Sequence, residues 1–301
     1  MKLVVFYSPF LRHVLFTHLH RLTPLSLKRQ ASSKRWQARQ LKDCFIREAA
    51  AQGLKSRAAF KLLQIDEKYR IFSSGQTVVD LGYAPGSWSQ VAVSRTQPNG
   101  RVLGVDIIPA QPPKGVSTIQ GNFLSPEIQA YVREFLRDPD RGRPRPQTPL
   151  APDRGLVNTV VESGSEENQR VNISWEELTG SVSANETADL GDGEVDRTVD
   201  VVLSDMMMNT SGVSSRDHAG SMDLCRAALL FSFNVLKTGG HFVCKFYQGA
   251  EDKAFEKQLK ELFQKVHRVK PESSRSESKE AYFIGLQRKN NVAKTAVLTP
   301  P

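Results

Sequence analysis

Cysteine is scarce in this 301-residue chain, with only Cys44, Cys225 and Cys244. An odd number, so widely spaced, excludes a disulfide framework and a paired-cysteine zinc ribbon, and suits a reducing compartment. No apolar run reaches the ~18 residues that a membrane-spanning helix needs. Acidic residues are absent from positions 1–42, which carry nine Lys/Arg: Lys2, Arg12, Arg21, Lys28, Arg29, Lys34, Arg35, Arg39 and Lys42. Those nine equal the formal net charge of +9, so the remaining residues balance to zero. With 39% hydrophobic and 24% charged residues, the chain is not wholly disordered. Its length admits two domains or one large α/β domain with decorations. The basic balance favours an anionic partner, nucleic acid above all.

A basic, acid-free N-terminus with Ser, Thr, Leu and Phe has the composition of a mitochondrial transit peptide. We assign residues 1–31 to it, with cleavage around 25–33, which places the mature protein in the mitochondrial matrix. The other reading is a disordered basic arm that touches RNA.

Along the chain, residues 45–71 read as a helix pair broken at Gly53. Short apolar strands follow at 77–81 (TVVDL), 101–106 and 116–120, with a helix at 85–96 begun by Pro85 and another at 125–137. Residues 138–198 change character, holding five prolines up to Pro152 and then Ser, Asn, Glu, Asp and Gly. So long a structureless stretch inside a domain reads as a disordered, mostly acidic insertion. Order resumes with a strand at 199–204, an apolar helix at 219–236 closed by Gly239-Gly240, and a strand at 241–247. An amphipathic helix at 251–265 precedes strands at 266–270 and 281–287, and residues 290–301 read as a disordered tail. Strands alternating with helices predict a Rossmann-like α/β fold, a seven-stranded and mostly parallel sheet covered on both faces. Only a loop joins the last two strands, which allows one of them to run antiparallel.

Ligands of an open α/β sheet bind outside the carboxyl ends of its strands. Here those ends carry Asp80-Leu-Gly82, Asp106, Gly121-Asn122-Phe123, Asp205 and Lys245. The first turn has glycines at 82 and 86 but is not GxGxxG, because Ala84 stands at the second glycine position and Ser87 at the third; this argues against a dinucleotide and an oxidoreductase. Gly82 with Asp106, placed to accept ribose hydroxyls, suits an adenosine-type cofactor such as S-adenosylmethionine. Four charges are out of place. Lys245 interrupts an apolar strand, Lys61 intrudes on the apolar face of its helix, and Asp205 and Glu280 sit at strand ends. Burying such groups is costly unless they are paired.

These residues lie in segments that resemble the FtsJ/RrmJ-type ribosomal RNA 2′-O-ribose methyltransferases. The chain looks like the mitochondrial branch of that family, in a fungal-like form with an insertion. The resemblance runs through 32–137 and 199–289, on SSKRW (32–36), GLKSRAAFKL (53–62), VVDLGYAPGSWSQ (78–90), GVDIIP (104–109), QGNF (120–123), SDMMMNTSG (204–212), LKTGGHFVCKFYQG (236–249) and KPESSRSESKEAY (270–282). It implies a catalytic Lys-Asp-Lys-Glu tetrad at Lys61, Asp205, Lys245 and Glu280. It implies an S-adenosylmethionine site at Gly82, Pro85, Gly86, Ser87, Trp88, Asp106, Asn122, Phe123 and Asp205. The chain departs from the family pattern at Tyr83, Ser87, Asn122 and the Met206–Met208 run, and the insertion is not a family feature.

The implied reaction is in-line attack of a ribose 2′-oxygen on a sulfonium methyl. Lys245 is the candidate base, oriented by Asp205, with Lys61 beside it and Glu280 pairing Lys61; in a second account Lys245 stays protonated and steers the hydroxyl. No metal is expected. Lys34, Arg35, Arg39, Lys55 and Arg57 are expected to hold RNA phosphates. The implied substrate is a uridine in the peptidyl-transferase A-loop of mitochondrial large-subunit rRNA, within a pre-ribosomal particle, modified by a monomer. Other readings are the same chemistry on transfer RNA or another RNA, and a non-catalytic RNA-binding assembly factor.

Overall fold

A computed structural model describes residues 43–144 and 197–298. The proposed leader, Lys34, Arg35, Arg39 and most of the insertion lie outside the described residues. The elements are α1 (Cys44–Ala51), α2 (Ala58–Tyr69), β1 (Thr77–Leu81), α3 (Ser87–Thr96), β2 (Arg101–Asp106), β3 (Val116–Gln120), α4 (Pro126–Arg137), β4 (Val199–Ser204), α5 (Ser214–Val235), β5 (Leu236–Tyr247), α6 (Asp252–Leu262), β6 (Phe263–Val269), β7 (Glu280–Arg288) and α7 (Lys294–Leu298).

The strands form one seven-stranded sheet in the order β3-β2-β1-β4-β5-β7-β6. β1 to β5 are parallel, and β7 runs antiparallel to both β5 and β6. Val-rich strands of this kind suit a sheet covered on both faces. Successive residues point to opposite faces. Val78, Val102, Val201, Val243, Tyr282 and Ile284 pack under α2 and α3, with Leu62, Ile65, Trp88 and Val91. Val79, Leu103, Val202, Cys244 and Phe283 pack against α4, α5 and α6, with Phe135, Leu229 and Phe255.

Several boundaries differ from the sequence expectation, each for a local reason. Pro85 does not begin a helix: Gly86 has a left-handed backbone (φ 106°), so α3 starts only at Ser87. α5 begins at Ser214, ahead of the expected 219. The Asp217 carboxylate in its first turn accepts from Ser211 N (2.7 Å), Ser211 Oγ (2.8 Å) and Gly212 N (3.1 Å), which fixes the loop that feeds it. Gly239-Gly240 belong to β5 rather than to a helix end, and a Cβ on Gly240 would meet the Asp200 carbonyl at 2.9 Å. α6 stops at Leu262, so Phe263 and Val266 are strand residues, with Phe263 stacked on Phe242 at 5.9 Å. The expected disordered tail is corrected over 294–298, where α7 buries Val297.

The insertion is also narrower than expected, because residues 138–144 are tied to the sheet. Buried Arg101 donates to the carbonyls of Leu136 (3.3 Å), Asp138 and Arg141 (3.4 Å). Arg143 donates to the carbonyls of Gly75 (3.1 Å) and Asn99, which precede β1 and β2. The insertion thus leaves the amino-terminal edge of the sheet, opposite the carboxyl ends. Removing one partner from buried hydrogen bonds leaves the others unpaired. Arg101→Met is therefore expected to cost about 2–3 kcal/mol, read as a lower urea midpoint at unchanged slope.

Candidate active site

The parallel strands β1 to β5 end on one rim, and the chain reverses direction of travel between β1 and β4, where such sheets open a crevice. A cavity of about 440 Å³ lies there. Gly82, Asp106, Gly121, Asn122, Phe123, Asp205 and Lys245 are among its lining residues, with Ile107, Ile108, Leu124 and Met206 to Met208. Gly82 (φ 76°) lets the chain turn against the next strand: a Cβ there would stand 2.9 Å from the Met206 Cα. The Asp106 carboxylate is aimed by two main-chain donors, Ala84 N to Oδ2 (2.9 Å) and Ile108 N to Oδ1 (2.8 Å). Asn122 Oδ1 accepts from Leu124 N at 3.0 Å. Aliphatic walls, one oriented carboxylate and an amide are the donor set that an adenosine-bearing molecule needs, and the volume lies within the usual range for small-ligand sites.

The glycine turn contributes differently from the sequence expectation. Pro85, Gly86, Ser87 and Trp88 are not among the cavity's lining residues. Ser87 Oγ is 2.7 Å from Ser56 Oγ, and Trp88 donates from Nε1 to the Ala58 carbonyl (2.9 Å) with its ring 5.6 Å from that of Tyr282. Both side chains lock α3 to α2 because both are buried under that helix. Phe123 turns its ring into the core, edge-on to Phe231 at 5.2 Å, and is not open for stacking.

The four misplaced charges meet. Lys245 Nζ donates to the Asp205 carbonyl at 2.6 Å and lies 3.1 Å from Asp205 Oδ1. Lys61 Nζ lies 2.7 Å from Glu280 Oε1. Tyr282 joins the two pairs: its hydroxyl donates to Asp205 Oδ1 (3.3 Å), and Lys61 Nζ stands over its ring at 5.9 Å. Strand register explains the junction, since Lys245 opposes Tyr282 and Tyr247 opposes Glu280. Burial pushes the Tyr282 phenol well above its ordinary value, and Asp205 and Glu280 push it further, so it remains a neutral donor. Burial also works to raise Glu280, but the Lys61 and Lys245 ammonium groups outweigh it and hold Glu280 below the usual carboxylate range.

Of the expected RNA contacts within the described residues, Lys55 is exposed and donates to the Gln111 carbonyl. Arg57 is corrected. Its guanidinium donates to the Ser273 carbonyl and lies 5.5 Å over the Phe45 ring, so it staples the 273 loop to α2 rather than standing free for phosphate. Among the described residues no helix is long and apolar enough to cross a membrane, and no three His, Cys, Asp or Glu cluster as a metal site.

Asp80 lies under this rim, fully buried. Oδ2 accepts from Ser89 Oγ at 2.6 Å, while Oδ1 has no hydrogen-bond partner. Burial, with Asp205 and Asp106 nearby, raises its pKa to about 7.

The sequence model of the FtsJ-like methyltransferases matches residues 54–288. The chain is 41% identical over 295 residues to mitochondrial rRNA methyltransferase 2 of Saccharomyces cerevisiae, covering 89% of this chain and 91% of the yeast protein. It is 35% identical to the protein of that name in Schizosaccharomyces pombe, over 84% of this chain and 95% of that one. Ribosomal RNA large subunit methyltransferase E of Azoarcus sp. is 35% identical, over 86% of this chain and 98% of its own. A solved Plasmodium falciparum structure described as a ribosomal RNA methyltransferase shares the fold, with TM-score 0.54 and 23% identity over 78% of this chain and 98% of its own.

Because the folded Asp80 titrates at about 7, above the ~3.9 of an unfolded aspartate, the native chain binds this proton more tightly. Its contribution to stability is present below about pH 4 and is lost as pH rises through 7, on the order of 3–4 kcal/mol. Urea unfolding between pH 5 and 8 is expected to show this fall, and Asp80→Asn to flatten it. An unchanged slope in the variant would assign the titration to another group.

Proposed function

Since the chain belongs to the FtsJ-like methyltransferase family, we propose that it transfers a methyl group from S-adenosylmethionine to a ribose 2′-oxygen of mitochondrial large-subunit rRNA. The uridine of the peptidyl-transferase A-loop is the proposed target, with the matrix as the compartment and ribosome assembly as the process served. The observation that carries this reading is the convergence of Lys61, Asp205, Lys245 and Glu280 around Tyr282, with Asp205 and Lys245 also lining the cavity. The names of these relatives support the rRNA substrate and the organelle.

When bound, the cofactor supplies an activated methyl group. Asp106 would take its ribose hydroxyls, and the aliphatic walls and Asn122 its base. Everything else falls to alignment and to one proton. Alignment of reactants can be worth about 7–11 kcal/mol in the best cases. Two of the three directions around Lys245 Nζ are taken by Asp205. The third is left for the substrate hydroxyl, either as a lone pair that accepts its proton or as an N–H that orients it. Lys61, paired with Glu280, fixes that carboxylate beside the site and leaves no unpaired charge there. Exposed Arg47 and Lys55, with Lys34, Arg35 and Arg39 from the adjoining segment, would bind phosphates without reading sequence.

Lys245→Ala is expected to lower methyl transfer about 10²–10⁴-fold. In cells it should erase one ribose methylation confined to organellar rRNA, read by mapping organellar and cytosolic RNA. An unchanged map would leave an RNA-binding assembly factor without catalysis. A mark lost from transfer RNA instead would keep the chemistry and move the substrate. In the pH–rate profile, an ionisation that disappears with Lys245 assigns the base; a profile without one leaves Lys245 to steer.

A further inference from the structure

The reacting oxygen sits on C2′ of a ribose, and the base hangs from the neighbouring C1′. Whatever surface meets the target base must therefore lie next to Lys245. β5 supplies one. Tyr247 is two residues beyond Lys245, on the same face of the sheet and one step of ~6.6 Å toward solvent. It opposes Glu280 across the β5–β7 ladder, so it belongs to the same rung as the tetrad. Its backbone is pinned: Tyr247 N donates to Ser221 Oγ (2.9 Å), and His218 Nδ1 lies 2.7 Å from the Tyr247 carbonyl. Its hydroxyl reaches the thioether of Met207 at 3.7 Å. Met207 itself is 59% exposed and lines the cavity beside Asp205 and Lys245. Here it continues an aromatic surface, and thioether and phenol faces are both polarisable enough to receive a flat ring.

We propose that Tyr247 and Met207 form the seat of the target nucleobase, an aromatic–thioether platform on which an unstacked base of single-stranded RNA rests while its ribose meets Lys245. The proposal rests on the RNA methyltransferase reading above. Stacking of this kind tolerates any base and adds affinity without contacting phosphate. The seat therefore fixes the depth to which the nucleotide enters, and base identity must be read elsewhere.

The test uses the full chain and a fluorescein-labelled oligouridylate, titrated by anisotropy at several salt concentrations, with S-adenosylhomocysteine affinity measured beside it. Tyr247→Ala is expected to weaken RNA binding about 5- to 100-fold while the slope of log affinity against log salt stays that of the wild type. Tyr247→Phe keeps the ring and should bind like the wild type; Tyr247→Leu should not rescue. Met207→Ala is expected to weaken RNA binding at the same salt slope, and S-adenosylhomocysteine affinity should not move in the Tyr247 variants, since Tyr247 does not line the cavity. In Tyr247→Ala, retained RNA affinity, a changed salt slope, or loss of S-adenosylhomocysteine binding together with RNA would overturn the seat. A wild-type chain that binds RNA through Tyr247 yet methylates no ribose overturns the proposed function and leaves the seat standing; an active chain whose Tyr247→Ala variant keeps its RNA affinity overturns the seat alone.

Discussion

The site depends on one strand pairing. β7 enters the sheet antiparallel between β5 and β6, so its first residues lie against the carboxyl end of β5. That register sets Tyr282 opposite Lys245 and Glu280 opposite Tyr247. Because side chains alternate across a sheet, Glu280 and Tyr282 then share a face with Lys245 and with helix α2, which carries Lys61. A slip of one residue would turn Glu280 and Tyr282 into the opposite layer, among Phe246 and Phe255, and Phe283 out of it. The apolar residues of β7 alternate between the two cores and resist such a slip. Burial of Phe283 on one side and Ile284 on the other thus fixes the position of the Glu280 carboxylate and the Tyr282 hydroxyl.

Electrostatics within this frame is a matter of pairing. Lys245 and Lys61 are both mostly buried, and each has its own carboxylate. Breaking a buried pair leaves one charge stranded and costs more than the pair gains, so the four charges hold one another in place. Tyr282 ties the pairs together as a neutral donor, kept so by burial and by the two acids around it. Asp80 is the exception, with an oxygen that no protein group satisfies beneath a rim already carrying Asp106 and Asp205. Burial and these neighbouring carboxylates together hold the Asp80 proton on.

Much of this was legible in the sequence because misfits are legible. Lys245 inside HFVCKFY and Lys61 on an apolar helix face stand out without any structure, and they lie where the tetrad forms. The five strands with clean apolar runs and turn residues at their ends were equally plain. Tyr282 was not, since in AYFIGLQ it reads as one more core residue; only the register shows its hydroxyl reaching Asp205. Asp217 was hidden because a carboxylate in a first helical turn is ordinary, and its role lies in the loop it holds. The helix–strand junction at Leu262–Phe263 has no Gly or Pro to mark it, so the helical period ran on into β6. The glycine turn misled more subtly. Pro85 suits a first helical turn, but Gly86 adopts a backbone that no helix can include.

Charge distribution bears on how RNA would be held. The net +9 matches residues 1–42 alone, which suggests a neutral body, but the balance is local. Residues 145–196 hold eleven Asp and Glu against three Arg, so the described residues carry an excess of eight positive charges and the insertion a deficit of eight. Phosphate attraction acts over roughly a Debye length of 8 Å at physiological salt, far less than the width of the sheet. A surface of that excess attracts RNA whatever the total charge. The insertion leaves from the amino-terminal edge, where Arg101 and Arg143 tie its first residues down, while the cavity opens at the carboxyl edge. The points where the acidic segment joins the sheet are therefore on the far side from the cavity.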